Sequence, residues 1–364
     1  MASKVFLHVG APQSGSDLVR DVLSRHRRRL TRVGVLYPPG HLGHDGGHLD
    51  AVLDVLGLSD GPHPPADGAW DRLAETVRDW RRGTAVVSHA LLADVREDQV
   101  ERIVSSFGDA EVHMVYVAED LGRQVPDAWQ QWVHHGGEAP FATYAARVAQ
   151  RDAHRMSRVF WGSHDVAEVV RRWAAHLPAE HTHVVTVPRG DDGSETWSRV
   201  ARTVGVDPLR FRVGSHRTRP TGSLVGTEVV RLLNAAADGP VDPQRLQALR
   251  AHAEALGGGT PRLPAVLLPL VRAEAERAAD ALAALGADVV GDLEDLLPAA
   301  TAFTDRNDEV TPPPAEVLAA QTALLLALTG AGKAAGPAGV RRRALRVLMR
   351  LRGRATTQPD RLRP

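Results

Sequence analysis

The stretch Lys4-Val5-Phe6-Leu7-His8-Val9-Gly10-Ala11-Pro12-Gln13-Ser14-Gly15-Ser16-Asp17-Leu18-Val19-Arg20-Asp21-Val22-Leu23 decides the fold. Val5 to Val9 is a short apolar run broken only by His8, the pattern of a strand buried on both faces. Gly10 to Ser16 is a loop, and beyond it Leu18, Val19, Val22 and Leu23 fall on one helical face. Glycines at both ends of such a loop permit unusual backbone angles and let amide N–H groups approach an anion at the helix start. The spacing is that of a phosphate-binding loop, but Ser16-Asp17 stands where a nucleotide-hydrolysing loop carries Lys-Ser/Thr, so an ATPase is not expected. A plain strand-to-helix turn has the same spacing.

Outward from this unit the pattern repeats. Ala85-Val86-Val87-Ser88, Val112 to Ala118 and His183 to Val187 read as further core strands, separated by helical patterns. Strands alternating with helices predict an α/β fold with a mostly parallel, doubly wound sheet and a ligand site at the carboxyl ends of the strands. Pro38 to Pro65, rich in Gly, Pro, His and Asp, reads as two loops around a short helix at Leu49 to Leu56, a segment suited to lie over a site. After about residue 215 the pattern turns helical, over Leu224–Ala237, Pro243–Leu256, Pro264–Leu285 and Pro314–Thr329, with one short strand at Asp288-Val289-Val290. The expected division is therefore an α/β domain over 1–215, a helical portion packed on it over 216–335, and a basic amphipathic tail over 336–364.

Composition narrows the function. The 364 residues contain no cysteine, which excludes disulfides, thiolate metal sites and cysteine nucleophiles. Formal charge is zero with 44 basic and 44 acidic residues, yet residues 341–364 hold nine arginines and one aspartate, so the body is acidic and no nucleic acid is expected as partner. The tail, with Leu345, Leu348 and Leu351 on one face among arginines, is a candidate for peripheral membrane contact or for docking on the acidic body. No apolar run approaches the roughly 20 residues of a membrane span, and the chain opens on strand-like residues, so a cytoplasmic location is the expectation.

Pro12, Ser14, Gly15 and Ser16 match the loop Pro-Lys-Ser/Thr-Gly-Thr-Thr with which sulfotransferases bind the 5′-phosphosulfate of 3′-phosphoadenosine 5′-phosphosulfate, PAPS. The chain resembles an actinobacterial sulfotransferase-family group in further segments up to about residue 300. These are Val86-Val87-Ser88, Asp120 to Gln131, Phe160-Trp161, Asp165-Val166, Arg172-Trp173, His183 to Pro188, Ser223-Leu224 and Val289 to Leu293. The resemblance implies a sulfotransferase P-loop-type fold, PAPS as nucleotide donor and a small-molecule hydroxyl or amine acceptor. It assigns Pro12, Gln13, Ser14, Gly15, Ser16, Asp17, Glu119, Arg123 and Asp127 to the cofactor site.

The departures lie in the charges. Gln13 replaces the loop lysine that neutralises the bridging oxygen, Asp17 a threonine, Glu119 the arginine that grips the 3′-phosphate, and Asp127 its partner serine; Gly162 follows Trp161 where an arginine is frequent. Arg20, Arg123 and the Arg171-Arg172 pair are the nearest replacement cations, or ordinary solvated helix faces. His89, directly after the second core strand, is the candidate acceptor base alongside Gln13 in the catalytic position, or a strand-end cap. His41, His44 and His48 with Asp45 and Asp50 do not have metal-ligand spacing, and no metal is expected; simple solvent exposure is the first reading, with lining of an acceptor pocket, His48 nearest the following helix, as the alternative. Trp129, Trp132 and Val133 form a stripe with Val125 and Ala128 after Pro126 in an expected first helical turn, a core-packing pattern. Two functions follow as expectations: sulfuryl transfer from PAPS, or a catalytically silent relative, a pseudoenzyme that binds a ligand or partner in the cleft.

Overall fold

The hydrophobic run at the start of the chain is β1 (Lys4–Gly10), the central strand of a six-stranded sheet. The computed structural model describes residues 2–39, 48–58, 67–213, 222–236 and 259–328. Val5 pairs in parallel with Ala85 of β3 (Thr84–Ser88) on one side and with Val112 of β4 (Glu111–Ala118) on the other. With β2 (Val35–Leu36), β5 (Thr182–Thr186) and β7 (Asp288–Val290) the order is β2-β3-β1-β4-β5-β7, every pairing parallel. The chain crosses from β3 over β1 to reach β4, so the crevice beyond the carboxyl end of β1 is the topological switch point.

Strand residues alternate between two cores. Val5, Leu7, Val9, Met114, Tyr116 and Val184 face Trp70 of α3 (Ala69–Asp79), Phe107 and Trp173 of α8 (Val166–Ala174). Phe6, Val86, Val115, Val117 and Val185 face Val19, Val22 and Leu23 of α1 (Ser16–Arg32) and Trp197 of α9 (Ser194–Thr203). Each such side chain, fully withdrawn from water, contributes about 1.5–3 kcal/mol. Covered on both faces, the sheet has little room for polar residues, which makes the histidines inside it informative.

Contacts divide the chain into two compact units, 1–124 with 148–219 and 269–299, and 125–147 with 220–268 and 300–364. The first takes back 269–299 because β7 completes its sheet. In the second, α10 (Leu224–Ala236) and α12 (Pro314–Leu328) meet through Val225, Val229, Val317, Ala320 and Leu324, and β6 (Leu263–Pro264) pairs in parallel with β8 (Phe303–Thr304).

Several expectations shift by a few residues. The helix expected from Pro264 is α11 (Leu268–Leu285), because Leu263-Pro264 joins a strand pair and Ala265–Leu267 forms a 3-10 turn. Pro126 is not in a first turn: α5 (Leu121–His134) starts earlier, since Asp120 accepts from the Arg123 N–H through Oδ1 and from the Gln124 N–H through its carbonyl. Trp129 and Val133 are buried as the stripe predicts, and Trp132 is half-buried. His41, His44 and Asp45, the helix expected over 243–256 and the arginine-rich tail lie outside the described residues. Among those described, no helix is long and apolar enough to cross a membrane.

Candidate functional site

The loop between β1 and α1 sits at the switch point. Gly10 has φ 127° and a Cβ there would come within 3.3 Å of the Ala90 carbonyl, while Gly15 holds the N-cap of α1 at φ 82° with no side-chain cap. Ser14 ties the loop down: its Oγ lies 2.7 Å from both the Ala11 and Val117 carbonyls, and the Ala11 N–H donates to Val117 O at 2.9 Å. Pro12 O lies 3.2 Å from His164 Nε2, a side chain of α7 (Arg155–His164) whose Nδ1 is 2.8 Å from Phe160 O. Gln13 adopts φ 63°, a left-handed conformation that costs an L-residue about 1–2 kcal/mol. Ser16 Oγ is buried with no hydrogen-bond partner. The first amides of α1 are left without a side-chain cap at the end of the loop, the condition an anion site requires. A Cβ at Gly15 would make an ordinary 3.5 Å contact with Thr196, so Gly15→Ala is expected to lose about 1–2 kcal/mol through its positive φ alone. An unchanged urea midpoint would contradict that.

The cations predicted near the loop are each engaged by groups of the protein. Arg20 Nη2 bonds Asp17 Oδ1 at 2.7 Å. Arg123 Nη1 lies 2.8 Å from Glu119 Oε1, its Nε donates to Asp120, and its Nη2 donates to Val187 O at 3.0 Å. Glu119 and Asp120 keep 11% and 2% of their side chains exposed, so this is a desolvated cluster with two carboxylates on one guanidinium. Arg172 gives its Nη groups to the carbonyls of Val95, Ala93 and Gly162, and exposed Arg171 forms a bidentate pair with Glu168. Asp127 is half-buried on α5, within the second unit.

Four histidines are buried around the ends of β1 and β3 and behind the loop. His8 Nδ1 meets Ser88 Oγ at 2.7 Å and its Nε2 is buried without a partner. His48, ahead of α2 (Leu49–Leu56), accepts the Ser88 N–H on Nδ1 at 3.0 Å, with Nε2 3.1 Å from Pro38 O, so both ring nitrogens hold backbone. His89 Nδ1 accepts the Leu91 N–H at 3.2 Å, which makes Nε2 the proton-bearing nitrogen of the neutral ring. Burial first, then the charge of Arg20, pushes His8 and His89 down to about 3; burial pushes His48 and His164 down to about 4. The Tyr37 ring lies tilted against His48 with centroids 4.8 Å apart, and its buried hydroxyl has no hydrogen-bond partner.

A narrow cleft opens beyond the end of β4, lined among others by Tyr116, Glu119, Trp161, His164, Asp165 and Arg277. Asp165 bonds Arg151 and lies 3.3 Å from Arg277, and Glu274 lies 2.7 and 2.8 Å from the same two guanidiniums. Arg151 in turn covers the Trp161 ring at 4.2 Å. With Glu119, Asp120 and Arg123, four carboxylates meet three guanidiniums here.

The sequence reading missed His8, Tyr37, His164 and the Asp165 cluster. His8 carried a signal, the one polar residue in a doubly buried strand. Asp165 and Arg277 are 112 residues apart and carried none. No protein-family model, curated protein or solved structure matches the chain.

Proposed function

We propose that this chain is a sulfotransferase-type protein that has given up the phosphosulfate donor and holds a neutral or cationic small molecule in its cleft without sulfuryl transfer. The carrying observation is the Glu119–Arg123–Asp120 cluster, in which two nearly buried carboxylates hold the guanidinium where the resemblance puts the 3′-phosphate. At an effective dielectric near 20, a unit like charge at 4 Å opposes an incoming phosphate by about 4 kcal/mol. The residues present therefore do not fit PAPS. His89 fits the silent reading too, because its lone pair is used by the Leu91 N–H and its depressed basicity makes Nε2 a donor. The acidic lining of the cleft, with Trp161 and Tyr116 beside it, suits a small amine.

Calorimetric titration with PAPS and with its desulfated product, at low and moderate salt, tests this. The expected result is no binding at millimolar concentration. Micromolar binding would overturn it and favour a PAPS-dependent enzyme acting on a hydroxyl or amine, the reading that the unpartnered Ser16 Oγ beside the α1 amides supports.

A further inference from the structure

At the opposite pole of the sheet from the anion loop, the entry ends of β1, β4, β5 and β7 bring together three histidines and two carboxylates. Asp288 Oδ2 lies 2.7 Å from His183 Nδ1, His183 Nε2 lies 3.0 Å from His113 Nδ1, and His113 Nε2 lies 2.9 Å from Glu111 Oε1. His181 Nε2 converges on the same Glu111 oxygen at 3.3 Å.

This relay is one proton short. Its three contacts each need one hydrogen between two heavy atoms, and two neutral imidazoles bring only two N–H groups. Starting from Asp288, which can only accept when ionised, the protons fall on His183 Nδ1 and then His113 Nδ1. The lone pair of His113 Nε2 is left facing the Glu111 carboxylate at 2.9 Å. Two acceptors at that distance repel unless a positive charge sits between them. Both ends of the relay reach solvent, with the Asp288 side chain 50% and the Glu111 side chain 38% exposed, and the Glu111 end is the one on which a further imidazole, His181, converges.

We infer that Glu111 Oε, His113 Nε2 and His181 Nε2 form a binding site for a divalent cation of the zinc class, with His183 and Asp288 as the outer relay that orients His113. The ligand atoms all lie within 4.8 Å of one another. Two ligands of a tetrahedral zinc at 2.0–2.1 Å are about 3.3 Å apart, close to the observed separations. Two imidazoles and one carboxylate match zinc's preferences and leave a fourth position for water. A ligating histidine whose second nitrogen donates to a carboxylate-anchored partner is the usual outer-shell arrangement, extended here by one imidazole. Lys4 Nζ, 2.9 Å from Glu111 Oε1, is the cation already on that oxygen, and its 45% exposed side chain is free to swing away as an ion enters. The site is independent of the loop and cleft.

The experiment is titration of the metal-stripped full chain with Zn²⁺, and with Co²⁺ as an optical probe. One Zn²⁺ per chain is expected to bind at micromolar Kd or tighter, and Co²⁺ to give the intense visible bands of tetrahedral coordination. His181→Ala and Glu111→Gln, at partly exposed positions chosen to leave the fold intact, are each expected to weaken binding at least 100-fold. Asp288→Asn, a positioning change, is expected to weaken it about 10-fold while keeping the Co²⁺ spectrum tetrahedral. A folded chain that binds neither ion would show that a proton fills the gap and overturn the proposal. Binding that survives His181→Ala and Glu111→Gln would put the ion elsewhere, for example on His41 and His44, and overturn it equally.

Discussion

The double variant Gln13→Lys/Glu119→Arg is expected to bind the desulfated product of PAPS at least 100-fold more tightly than the parent chain. In the parent, Arg123 is shared by two carboxylates that are nearly withdrawn from water. Converting Glu119 to arginine turns two carboxylates on one guanidinium into one carboxylate between two, a swing of two charges in a desolvated place. Gln13→Lys adds a third cation beside the α1 amides, on a backbone already in the left-handed region for an L-residue. Each restored charge pair at about 4 Å is worth up to about 4 kcal/mol at an effective dielectric of 20. Solvent access to the loop and the ordering of two long side chains reduce this. About 2.7 kcal/mol, which is 100-fold, is the conservative remainder. Calorimetry on parent and variant reads it directly, with circular dichroism to verify folding. A folded variant that binds no better than the parent would mean that negative charge is not what keeps the donor out. Glu119→Gln alone, which removes repulsion without adding attraction, separates the two contributions.

The same residues show what the sequence made legible. Four core strands stood out because a parallel strand covered on both faces needs an apolar run, and β1, β3, β4 and β5 have one. β2 did not, because two residues at a sheet edge leave no periodicity to read. The loss of loop cations was plain at Gln13, Asp17 and Glu119. That Arg20 and Arg123 are held by the very acids that replaced the expected polar groups follows from i,i+3 and i,i+4 spacing, which places such pairs on one helix face. Pro126 misled because proline favours a first turn, whereas the Asp120 cap sets the start of α5 five residues earlier. The cleft cluster could not be read, and of the Glu111–His113–His181 group only the i,i+2 spacing of Glu111 and His113 on one strand face was legible. Their members are joined by strand register and crossover topology, and no local pattern encodes which strand starts lie side by side.

Acidification from pH 7 to pH 5 is expected to remove most of the chain's folding stability. His8, His48, His89 and His164 have folded pKa values pushed down to about 3, 4, 3 and 4 from the ordinary 6.5, mainly because burial penalises the imidazolium. The sign is fixed: between those values and 6.5 the unfolded chain takes up protons that the folded one refuses. The stability these histidines allow is full above pH 6.5 and is lost as pH falls toward the folded values. At pH 5 each costs about 2 kcal/mol, an amount governed by the unfolded pKa and insensitive to how far below 5 the folded value lies. Four together cost about 8 kcal/mol, against a total of about 5–15 kcal/mol for a typical domain. Asp94, raised to about 6, acts in the opposite direction, but its exposed position limits the offset to about 1 kcal/mol at most. Carboxylates held below their ordinary range, such as Asp165 beside Arg151, lose stability only below about pH 4, so the window from 6.5 to 5 isolates the histidines. A cation on His113 Nε2 would take over the titration of that ring, which therefore stands apart from the four. Urea unfolding at pH 7, 6 and 5 measures the slope, and equal midpoints at pH 7 and 5 would refute the assignment. His48→Gln, which keeps a hydrogen-bonding side chain beside Ser88 and Pro38 but cannot titrate, is expected to remove about a quarter of the slope. A slope untouched by that substitution would locate the proton uptake elsewhere in the chain.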